Sequence, residues 1–304
     1  MAAPDLTSRV GKITIRNPLL LASGILGESS GSMIRVYSSG AGGVVTKSIG
    51  MEPRDGYRNP TVYEFESGML NAMGLPNPGI EHFSDVISRT KAAGVFTVGS
   101  IFGGDENEFS HLAGKMEAYG VDAVELNLSC PHVEGFGSEL GSSPERVRSV
   151  VGAVRQAVRI PVWAKMTPNV ADMGSIAAAA EEAGADAIVA INTVRAMAIS
   201  ARLRRPVLSN TYGGLSGEAV KYVGLRAVYE IGKKCSIPVI GVGGVRSGED
   251  VAEYLVAGAS AVQIGTAVAE RGPGVFGQVA DELSDFMERE GFSSLKEMIG
   301  IARR

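Results

Sequence analysis

Short apolar runs of this sequence repeatedly end in polar side chains or glycines that could bind a ligand or take part in a reaction. A single strand-end lysine often only reaches solvent, and a single asparagine often only caps the next helix, but here nearly all the runs end this way. The residues at these ends are Ser23, Lys47, Ser48, Asn127, Ser129, Lys165, Asn192, Thr193, Gly243, Gly244, Gly265 and Thr266. Packing alone does not explain so regular an arrangement, which predicts one ligand site shared by the runs.

Two glycine-rich segments in the last third of the chain are typical of a phosphate site. They read GVGGVRSGEDV at 241–251 and QIGTAV at 263–268. Glycines let backbone N–H groups approach a phosphate, and the N-terminus of the following helix adds positive potential. Two tight turns without a ligand are the alternative. Neither segment is a G-x-G-x-x-G motif that opens a dinucleotide-binding unit, so we do not expect directly bound NAD.

Lys165 closes the run PVWAKM. A cation fixed at a strand end suits the N1–C2=O side of a flavin, because that side gains negative charge when the flavin is reduced. Neither clustered carboxylates nor an H-E-x-x-H motif is present, so we expect no metal site.

Cys130 carries a group suited to proton transfer or to nucleophilic attack. It stands in the motif NLSCPH, before the glycine-rich segment VEGFGSELGSS, whose composition fits a loop that opens and closes. A free thiol has a pKa of about 8.5, so a cysteine base at neutral pH needs electrostatic help, which Lys47 or His132 could give. The residue types leave both roles open for Cys130. Cys235, before a strand start, is expected to be a small buried apolar residue.

Eight β-rich apolar runs alternate with helix-like segments along the chain. The runs are Pro18–Ser23, Gly43–Ser48, Val95–Ile101, Ala123–Ser129, Pro161–Met166, Ala187–Thr193, Pro238–Gly244 and Ala261–Ala267. Several have the same lead-in, in which a helix ends at glycine before a strand begins, as in AYGVDAVEL. Apolar strands that alternate with helices indicate a parallel sheet covered by helices. Eight such units predict a closed α/β barrel, the (β/α)8 or TIM barrel, with the polar ends at its C-terminal face.

The remaining segments complete the expected architecture. Val10–Arg16 predicts a hairpin that covers the bottom of the barrel, and Ile49–Gly79, Pro131–Pro144 and Val194–Val220 predict long loops at the C-terminal face. Barrels of 304 residues commonly form one domain, so we expect a single domain over residues 1–304.

Composition excludes several classes of protein. A net charge of −4 with interspersed acidic and basic residues gives no nucleic-acid footprint. No apolar run is long enough to cross a membrane, and the first residues lack the apolar segment of a signal peptide. Two cysteines are too few for a secreted disulfide framework. These features predict a cytoplasmic protein.

The motifs NLSCPH, VTKS, LNAMGLPNPG, INTV and NTYGGLSG, in combination, closely resemble the class 1 dihydroorotate dehydrogenase family. The resemblance extends from about Thr14 to the C-terminus. It implies an FMN enzyme that oxidises (S)-dihydroorotate to orotate in pyrimidine biosynthesis, with Cys130 as the general base at C5 and the C6 hydride passing to flavin N5.

The resemblance also implies two sets of binding residues. FMN would lie against Ser23, Lys47, Ser48, Asn127, Lys165, Ile191, Gly217, Gly243, Gly244, Gly265 and Thr266. Substrate would be held by Lys47, Asn71, Ala72, Met73, Gly74, Leu75, Asn127, Asn192 and Thr193. A planar pyrimidine with a carboxylate needs amides for its imide edge and a cation for its acid group, and these residues supply both.

The segment at 192–217 resembles class 1B, whose catalytic chains work with an FAD and iron–sulfur subunit that passes electrons to NAD⁺. This implies a homodimer of the chain within a heterotetramer. Two positions depart from the family pattern: His132 replaces a common asparagine, and Ser100 stands where many class 1B relatives have an asparagine facing the flavin. Either His132 reaches the orotate edge or that contact is lost, and Ser100 could replace the asparagine near the flavin.

Other functions compete with this interpretation. The chain could be another FMN barrel, such as part of a dihydropyrimidine dehydrogenase, or a dihydrouridine synthase, although a tRNA enzyme should have a basic surface. A barrel that binds FMN or a pyrimidine without catalysis is the non-enzymatic alternative. It would require Cys130 and the lysines to be incidental.

Overall fold

The computed structural model describes residues 3–128 and 140–304. Its strands are β1 (Ser8–Val10), β2 (Ile13–Ile15), β3 (Leu19–Leu21), β4 (Gly43–Val45), β5 (Val62–Phe65), β6 (Gly68–Asn71), β7 (Thr97–Ile101), β8 (Ala123–Asn127), β9 (Val162–Lys165), β10 (Ala187–Ala190), β11 (Val194–Ala196), β12 (Ile199–Ser200), β13 (Arg205–Pro206), β14 (Gly213–Ser216), β15 (Val239–Val242) and β16 (Ala259–Ile264).

The α-helices of the described residues mostly follow the parallel strands. They are α1 (Ser30–Ser38), α2 (Ser84–Ala92), α3 (Glu106–Tyr119), α4 (Pro144–Ala157), α5 (Met173–Glu182), α6 (Lys221–Lys234), α7 (Gly248–Ala257), α8 (Thr266–Arg271), α9 (Val275–Glu290) and α10 (Leu295–Met298). Short 3-10 turns lie at Glu81–Phe83, Leu140–Ser142, Glu218–Val220 and Ile301–Arg303. None of these helices combines the length and apolar character that a bilayer crossing requires.

Eight parallel strands close into a barrel in the order β3-β4-β7-β8-β9-β10-β15-β16, and β16 pairs with β3. The predicted (β/α)8 barrel is therefore confirmed: seven of the eight predicted runs contain one barrel strand, and the last run overlaps β16. The predicted lead-in is present as well: α3 ends at Gly120 and α7 ends at Gly258, both in the left-handed conformation that favours glycine. The single domain over residues 1–304 stays a prediction.

All the barrel strands except β7 end earlier than the predicted runs. β3 ends at Leu21 and β4 at Val45, so the polar residues that follow lie in the loops beyond the strands. At Lys47 the backbone N–H donates to the Gly27 carbonyl oxygen at 2.9 Å rather than to a neighbouring strand. The chain leaves the barrel wall at Lys47 and rejoins it at Ile49, whose backbone N–H donates to the Ser100 carbonyl oxygen at 3.0 Å.

The last strand was predicted with the wrong bounds. Ala261–Ala267 was expected, but β16 begins at Ala259 and ends at Ile264. Ala267 lies instead in α8, which starts directly after Gly265. The apolar pattern continues from strand to helix without a break, which is why it does not mark the boundary.

The barrel interior is apolar at its lower end. Its buried cluster consists of Val10, Ile15, Leu20, Val45, Val98, Ala123, Trp163, Ala187, Val189, Ile240 and Ala261. Val10 and Ile15 come from the antiparallel pair β1–β2, so the predicted hairpin does cover the bottom of the barrel. The hairpin starts at Ser8 rather than Val10. The first strand, SRV, begins with two polar residues, so the apolar pattern does not mark its start. A larger cluster packs the helices against the outer face of the barrel.

Two of the long loops build a second sheet over the mouth of the barrel. The strands of this antiparallel sheet are in the order β11-β14-β6-β5. The loop after β4 contributes β5 and β6, whereas the loop after β10 contributes β11 and β14. Gly214 pairs with Asn71 in this sheet. These strands were not predicted, because they are short and their partners are distant in sequence. Pro131–Pro144, the third long loop, lies mostly outside the described residues.

Asp250 ties the loop after β15 to two helices. One carboxylate oxygen accepts from Lys221 Nζ at 2.5 Å, and the other accepts from the backbone N–H groups of Arg246 and Ser247 at 2.8 and 2.9 Å. Burial alone would raise the pKa of Asp250, but Lys221 and the two amides outweigh it and lower that pKa. The same carboxylate completes the capping box of α7 with Ser247.

We predict that Asp250→Asn lowers the stability of the fold by about 1–3 kcal/mol at neutral pH, because it removes a charge-assisted set of hydrogen bonds. Since the folded-state pKa is lowered, this stabilisation is present above the unfolded pKa and is lost as the pH falls through the folded value. Urea unfolding of both proteins from pH 7 downward should therefore show a difference that shrinks in acid. Glu249→Gln, at the exposed neighbouring position, is the control and should lower the free energy of unfolding by less than about 0.5 kcal/mol.

Candidate active site

A cavity of about 390 Å³ opens at the C-terminal end of the barrel strands, within the size range of small-molecule sites. All the residues predicted to hold a cofactor line it: Ser23, Lys47, Ser48, Asn127, Lys165, Ile191, Gly217, Gly243, Gly244, Gly265 and Thr266. It is also lined by predicted substrate residues, namely Asn71, Met73, Gly74, Leu75, Asn192 and Thr193. The structure thus brings both predicted sets together, while the role of each residue stays a prediction.

Ala72 is the exception among the described candidates. Its side chain is fully buried and does not line the cavity. Its backbone N–H donates to the Thr61 carbonyl oxygen at 2.8 Å, so this amide is already engaged in the sheet over the mouth. Only the neighbours of Ala72 face the cavity.

Ser48 is the centre of a hydroxyl and amide network on one side of the cavity. Its Oγ lies 3.2 Å from Ser23 Oγ and 2.9 Å from Ser100 Oγ, and it accepts from Asn127 Nδ2 at 3.1 Å. This network joins the ends of four barrel strands: Ser23 and Ser48 follow β3 and β4, whereas Ser100 and Asn127 lie in β7 and β8. The network holds these polar groups in place at the cavity wall.

Ser100 lies behind this wall. It is fully buried and does not line the cavity; its backbone N–H donates to Thr46 Oγ1 at 2.9 Å. The Ser100 hydroxyl therefore supports Ser48 from behind. It does not take the place of an asparagine that faces a ligand.

The amide network continues toward β10. Asn192 Nδ2 donates to Asn127 Oδ1 at 3.2 Å, and Asn192 Oδ1 accepts from the Thr193 backbone N–H at 2.8 Å. Asn169 supports the same segment from outside the cavity, since its Oδ1 accepts from the Arg195 backbone N–H at 2.9 Å. Amides therefore form a row along the cavity, a pattern suited to a ligand with its own donors and acceptors.

Two lysines bring positive charge to the cavity from different depths. Lys47 lies at the rim, where its ammonium group pairs with the carboxylate of Glu28. The Lys47 side chain is largely buried, whereas that of Glu28 is 63% exposed. The pair therefore sits at the boundary with solvent, where an anionic ligand could compete with Glu28 for Lys47.

Lys165 lies deeper, within a group that we call the polar floor: Glu125, Lys165 and Gln263. Lys165 Nζ donates to Glu125 Oε1 at 3.3 Å and to Gln263 Oε1 at 3.0 Å, and Gln263 Nε2 donates to Glu125 Oε2 at 2.6 Å. Lys165 and Gln263 line the cavity, whereas Glu125 lies beneath them and is fully buried.

Lys165 was predicted from the sequence, whereas Glu125 and Gln263 were not. Both stand inside apolar runs, AVELN and AVQIG, at positions whose side chains point into the barrel. A polar residue at an inward position of a barrel strand is the signal that could have identified them.

The glycine-rich side of the cavity is shaped by close backbone contacts. Gly244 has a φ of +71°, and a Cβ there would lie 2.7 Å from the Lys221 Cβ. Tyr254 fixes the turn, because its hydroxyl donates to the Gly243 carbonyl oxygen at 2.7 Å. On the next loop, Thr266 Oγ1 lies 2.9 Å from Ser216 Oγ. This side has the narrow, side-chain-free backbone that a phosphate needs.

The residues present fit a flavin mononucleotide. Backbone without bulky side chains at Gly243–Gly244 and Gly265–Thr266 suits a phosphate. The polar floor supplies a cation, Lys165, for the flavin ring. Apolar side chains of Ala22, Val242 and Leu215 add the flat walls that a ring system requires. The backbone suited to a phosphate, the apolar walls for a ring and the lysine cation all line the same cavity.

Three predicted functional positions, Ser129, Cys130 and His132, lie outside the described residues. The roles given to Cys130 and His132 therefore stay predictions. Cys235 does not line the cavity, and burial, aided by Glu181, raises its pKa to about 12. Such a thiol is a poor nucleophile at neutral pH. Cys235 packs against the core as expected, but it is partly buried rather than buried.

Comparison with known proteins agrees with the geometry. The family model for dihydroorotate dehydrogenase matches residues 5–287. Relatives named dihydroorotate dehydrogenase B (NAD⁺), catalytic subunit, include those of Thermoplasma acidophilum, 51% identical over 99% of both chains, and Methanocaldococcus jannaschii, 48% identical over 98% of both. The relative from Pyrococcus abyssi is 52% identical over 95% of this chain and 96% of its own.

A solved structure shares the fold. It is the dihydroorotate dehydrogenase of Eimeria tenella in complex with ferulenol, with a TM-score of 0.87 and 22% identity over all of this chain and 90% of that chain. The resemblance to class 1, and within it to class 1B, is confirmed by the curated relatives. On the match over residues 5–287 and these identities, the chain belongs to the dihydroorotate dehydrogenase family.

Proposed function

We propose that this protein is the catalytic chain of an NAD⁺-linked dihydroorotate dehydrogenase, which oxidises (S)-dihydroorotate to orotate with FMN as its bound cofactor. One observation carries the proposal. Residues from nearly every strand end, chosen from sequence for their chemistry, line a single cavity at the C-terminal face of the barrel. About half of the sequence is identical to relatives that carry this name.

FMN would lie across the barrel mouth with its phosphate at the glycine-rich side. The backbone at Gly243–Gly244 and Gly265–Thr266 would bind the phosphate, and Lys165 would face the N1–C2=O region from below. The bound flavin supplies a two-electron acceptor for hydride. Ser48 and Asn127, held by their mutual hydrogen bond, would orient the ring edge.

Dihydroorotate would lie between the flavin and the sheet over the mouth. Asn71, Asn127 and Asn192 offer amides for the pyrimidine ring. The substrate carboxylate would meet Lys47 and the backbone at 73–75. Binding there would draw Lys47 from Glu28, which is a low-cost exchange because the Glu28 carboxylate is largely in water.

One side chain of this chain would remove the substrate proton, and a separate sheet would keep water away from the substrate. Cys130, as the resemblance implies, would remove the C5 proton as a thiolate. The antiparallel sheet β11-β14-β6-β5 would cover the substrate and limit its contact with solvent. Removal of a proton from one ring carbon and of a hydride from the next gives the C5–C6 double bond of orotate.

Electrons would leave through a second protein. The name "catalytic subunit" in the relatives supports a partner subunit, and class 1B membership supports one that carries FAD and an iron–sulfur cluster. With two cysteines this chain cannot itself hold a cluster with four cysteine ligands. We propose a homodimer of this chain within a heterotetramer, located in the cytoplasm.

The role of Cys130 is tested by Cys130→Ala. We expect FMN and orotate binding to be retained and flavin reduction by dihydroorotate to slow by at least ~10²-fold, the low end for loss of a general base. Stopped-flow bleaching of the flavin under anaerobic conditions measures this rate. Cys235→Ala is the matched control and should reduce its flavin at the normal rate. Fast bleaching in Cys130→Ala would remove Cys130 from the mechanism.

The path of the electrons is tested with the isolated chain. Dihydroorotate should reduce its FMN, yet steady-state turnover with NAD⁺ alone should be negligible, because the sequence has no Rossmann fingerprint. Small dyes should restore turnover, and so should an iron–sulfur flavoprotein partner with NAD⁺. Rapid NAD⁺ reduction without a partner would contradict class 1B, and efficient fumarate reduction would indicate class 1A.

A further inference from the structure

We propose that Glu125 has two effects on the flavin site: as a positioning residue it holds the Lys165 ammonium at the cavity, and its buried charge acts directly on the flavin with the sign opposite to that of the lysine. The inference rests on the proposed function, because it takes FMN as the ligand above Lys165. It concerns a carboxylate that is fully buried, does not line the cavity, and has no part in binding substrate.

The polar floor crosses the interior of the barrel. Glu125 lies on β8 and Lys165 on the adjacent β9, whereas Gln263 reaches them from β16 on the other side. Each carboxylate oxygen of Glu125 accepts one bond, from Lys165 at 3.3 Å and from Gln263 at 2.6 Å. Gln263 in turn accepts from Lys165 at 3.0 Å. The three side chains form a closed ring of hydrogen bonds.

This ring fixes the direction of the lysine. Nζ has three N–H bonds, and two of them are used by Glu125 and Gln263 within the part of the chain that the structure describes. The third is left for a cavity ligand. Because both partners lie in the barrel interior and are almost wholly buried, the ammonium cannot swing away to solvent.

Stability alone does not account for this arrangement. Taking a carboxylate and an ammonium out of water is costly for both ions, and apolar side chains of similar size often stabilise a core equally well. Directly below, the barrel interior is filled by apolar residues such as Trp163 and Ala261. The change from apolar to charged side chains occurs at the level of the cavity, where a ligand can use the charge.

The pair has a defined electrostatic effect on a flavin above it. Reduction adds negative charge near N1 and C2=O, which the nearby Lys165 stabilises and the more distant Glu125 opposes. Removal of the Glu125 charge should therefore favour the reduced flavin, and removal of the Lys165 charge should favour the oxidised flavin. Removal of both charges should return the equilibrium between oxidised and reduced flavin toward that of the wild type.

The experiment measures the flavin reduction potential in wild type, Glu125→Gln, Lys165→Met and the double variant, each with FMN fully bound. We expect Glu125→Gln to shift the equilibrium about tenfold toward the reduced form, the order expected of one buried charge at short range. Lys165→Met should shift it in the opposite direction, with the double variant between the two. Thermal unfolding of each protein is recorded alongside.

Asp186→Asn is the matched control. Asp186 pairs with Arg155 at 2.7 Å and accepts from the Val162 backbone N–H at 2.9 Å, at the opposite end of the barrel from the cavity. This carboxylate-to-amide change should lower thermal stability and leave the potential unaltered. It separates an effect on folding from an effect on the flavin.

Each outcome decides the inference. An unchanged potential in Glu125→Gln would overturn it and leave Glu125 a structural residue. If Glu125→Gln does not fold, Glu125→Met removes the same charge with an apolar side chain of similar size, and an unchanged potential in that variant would overturn the inference as well. A wild-type chain that binds no FMN, or whose FMN dihydroorotate does not reduce, would instead contradict the proposed function.

Discussion

Closure of eight strands into a barrel forces their inward side chains into one narrow column, and the composition of that column decides where a ligand can bind. Its lower part is filled by Trp163 and smaller apolar residues, and the hairpin β1–β2 covers the end. Above them the column changes to Glu125, Lys165 and Gln263, which are joined by hydrogen bonds across the interior. The cavity begins at this level because the filled interior below leaves no space, and the strand ends above open outward.

The mouth is organised by a second constraint, the pairing of two loops that are distant in sequence. β6 from the loop after β4 pairs with β14 from the loop after β10, so Asn71 lies against Gly214. A Cβ at Gly214 would lie 2.1 Å from Thr193 Oγ1, which shows how closely this sheet sits on the end of β10. Residues predicted to bind substrate are thereby brought from both loops to one cavity, as Asn71 and Thr193 are.

Local patterns were sufficient to predict the barrel, its hairpin and the polar strand ends that line the cavity, whereas the lining residues within 71–75, Ile191 and Gly217 were expected only from the family resemblance. Parallel strands place their carboxyl ends at one face, so polar residues that end apolar runs must converge there, as Ser48 and Asn127 do. The sheet over the mouth was not predicted, because register between short distant strands leaves no local signal. Ala72 shows the same limit: its neighbours face the cavity, but only the pairing reveals that its own N–H is bonded to Thr61.

Glu125 shows why a buried charge is harder to predict than an exposed one. In the run AVELN it resembles an ordinary polar interruption, and its meaning depends on Gln263, which stands on a strand from the other side of the barrel. A carboxylate inside a barrel needs compensation for both of its oxygens, and here one donor comes from the neighbouring strand and one from across the interior. The same bonds that make the carboxylate tolerable hold Lys165 toward the cavity. One set of hydrogen bonds therefore both compensates the buried charge of Glu125 and orients the ammonium of Lys165. This set lies at the bottom of the predicted flavin site.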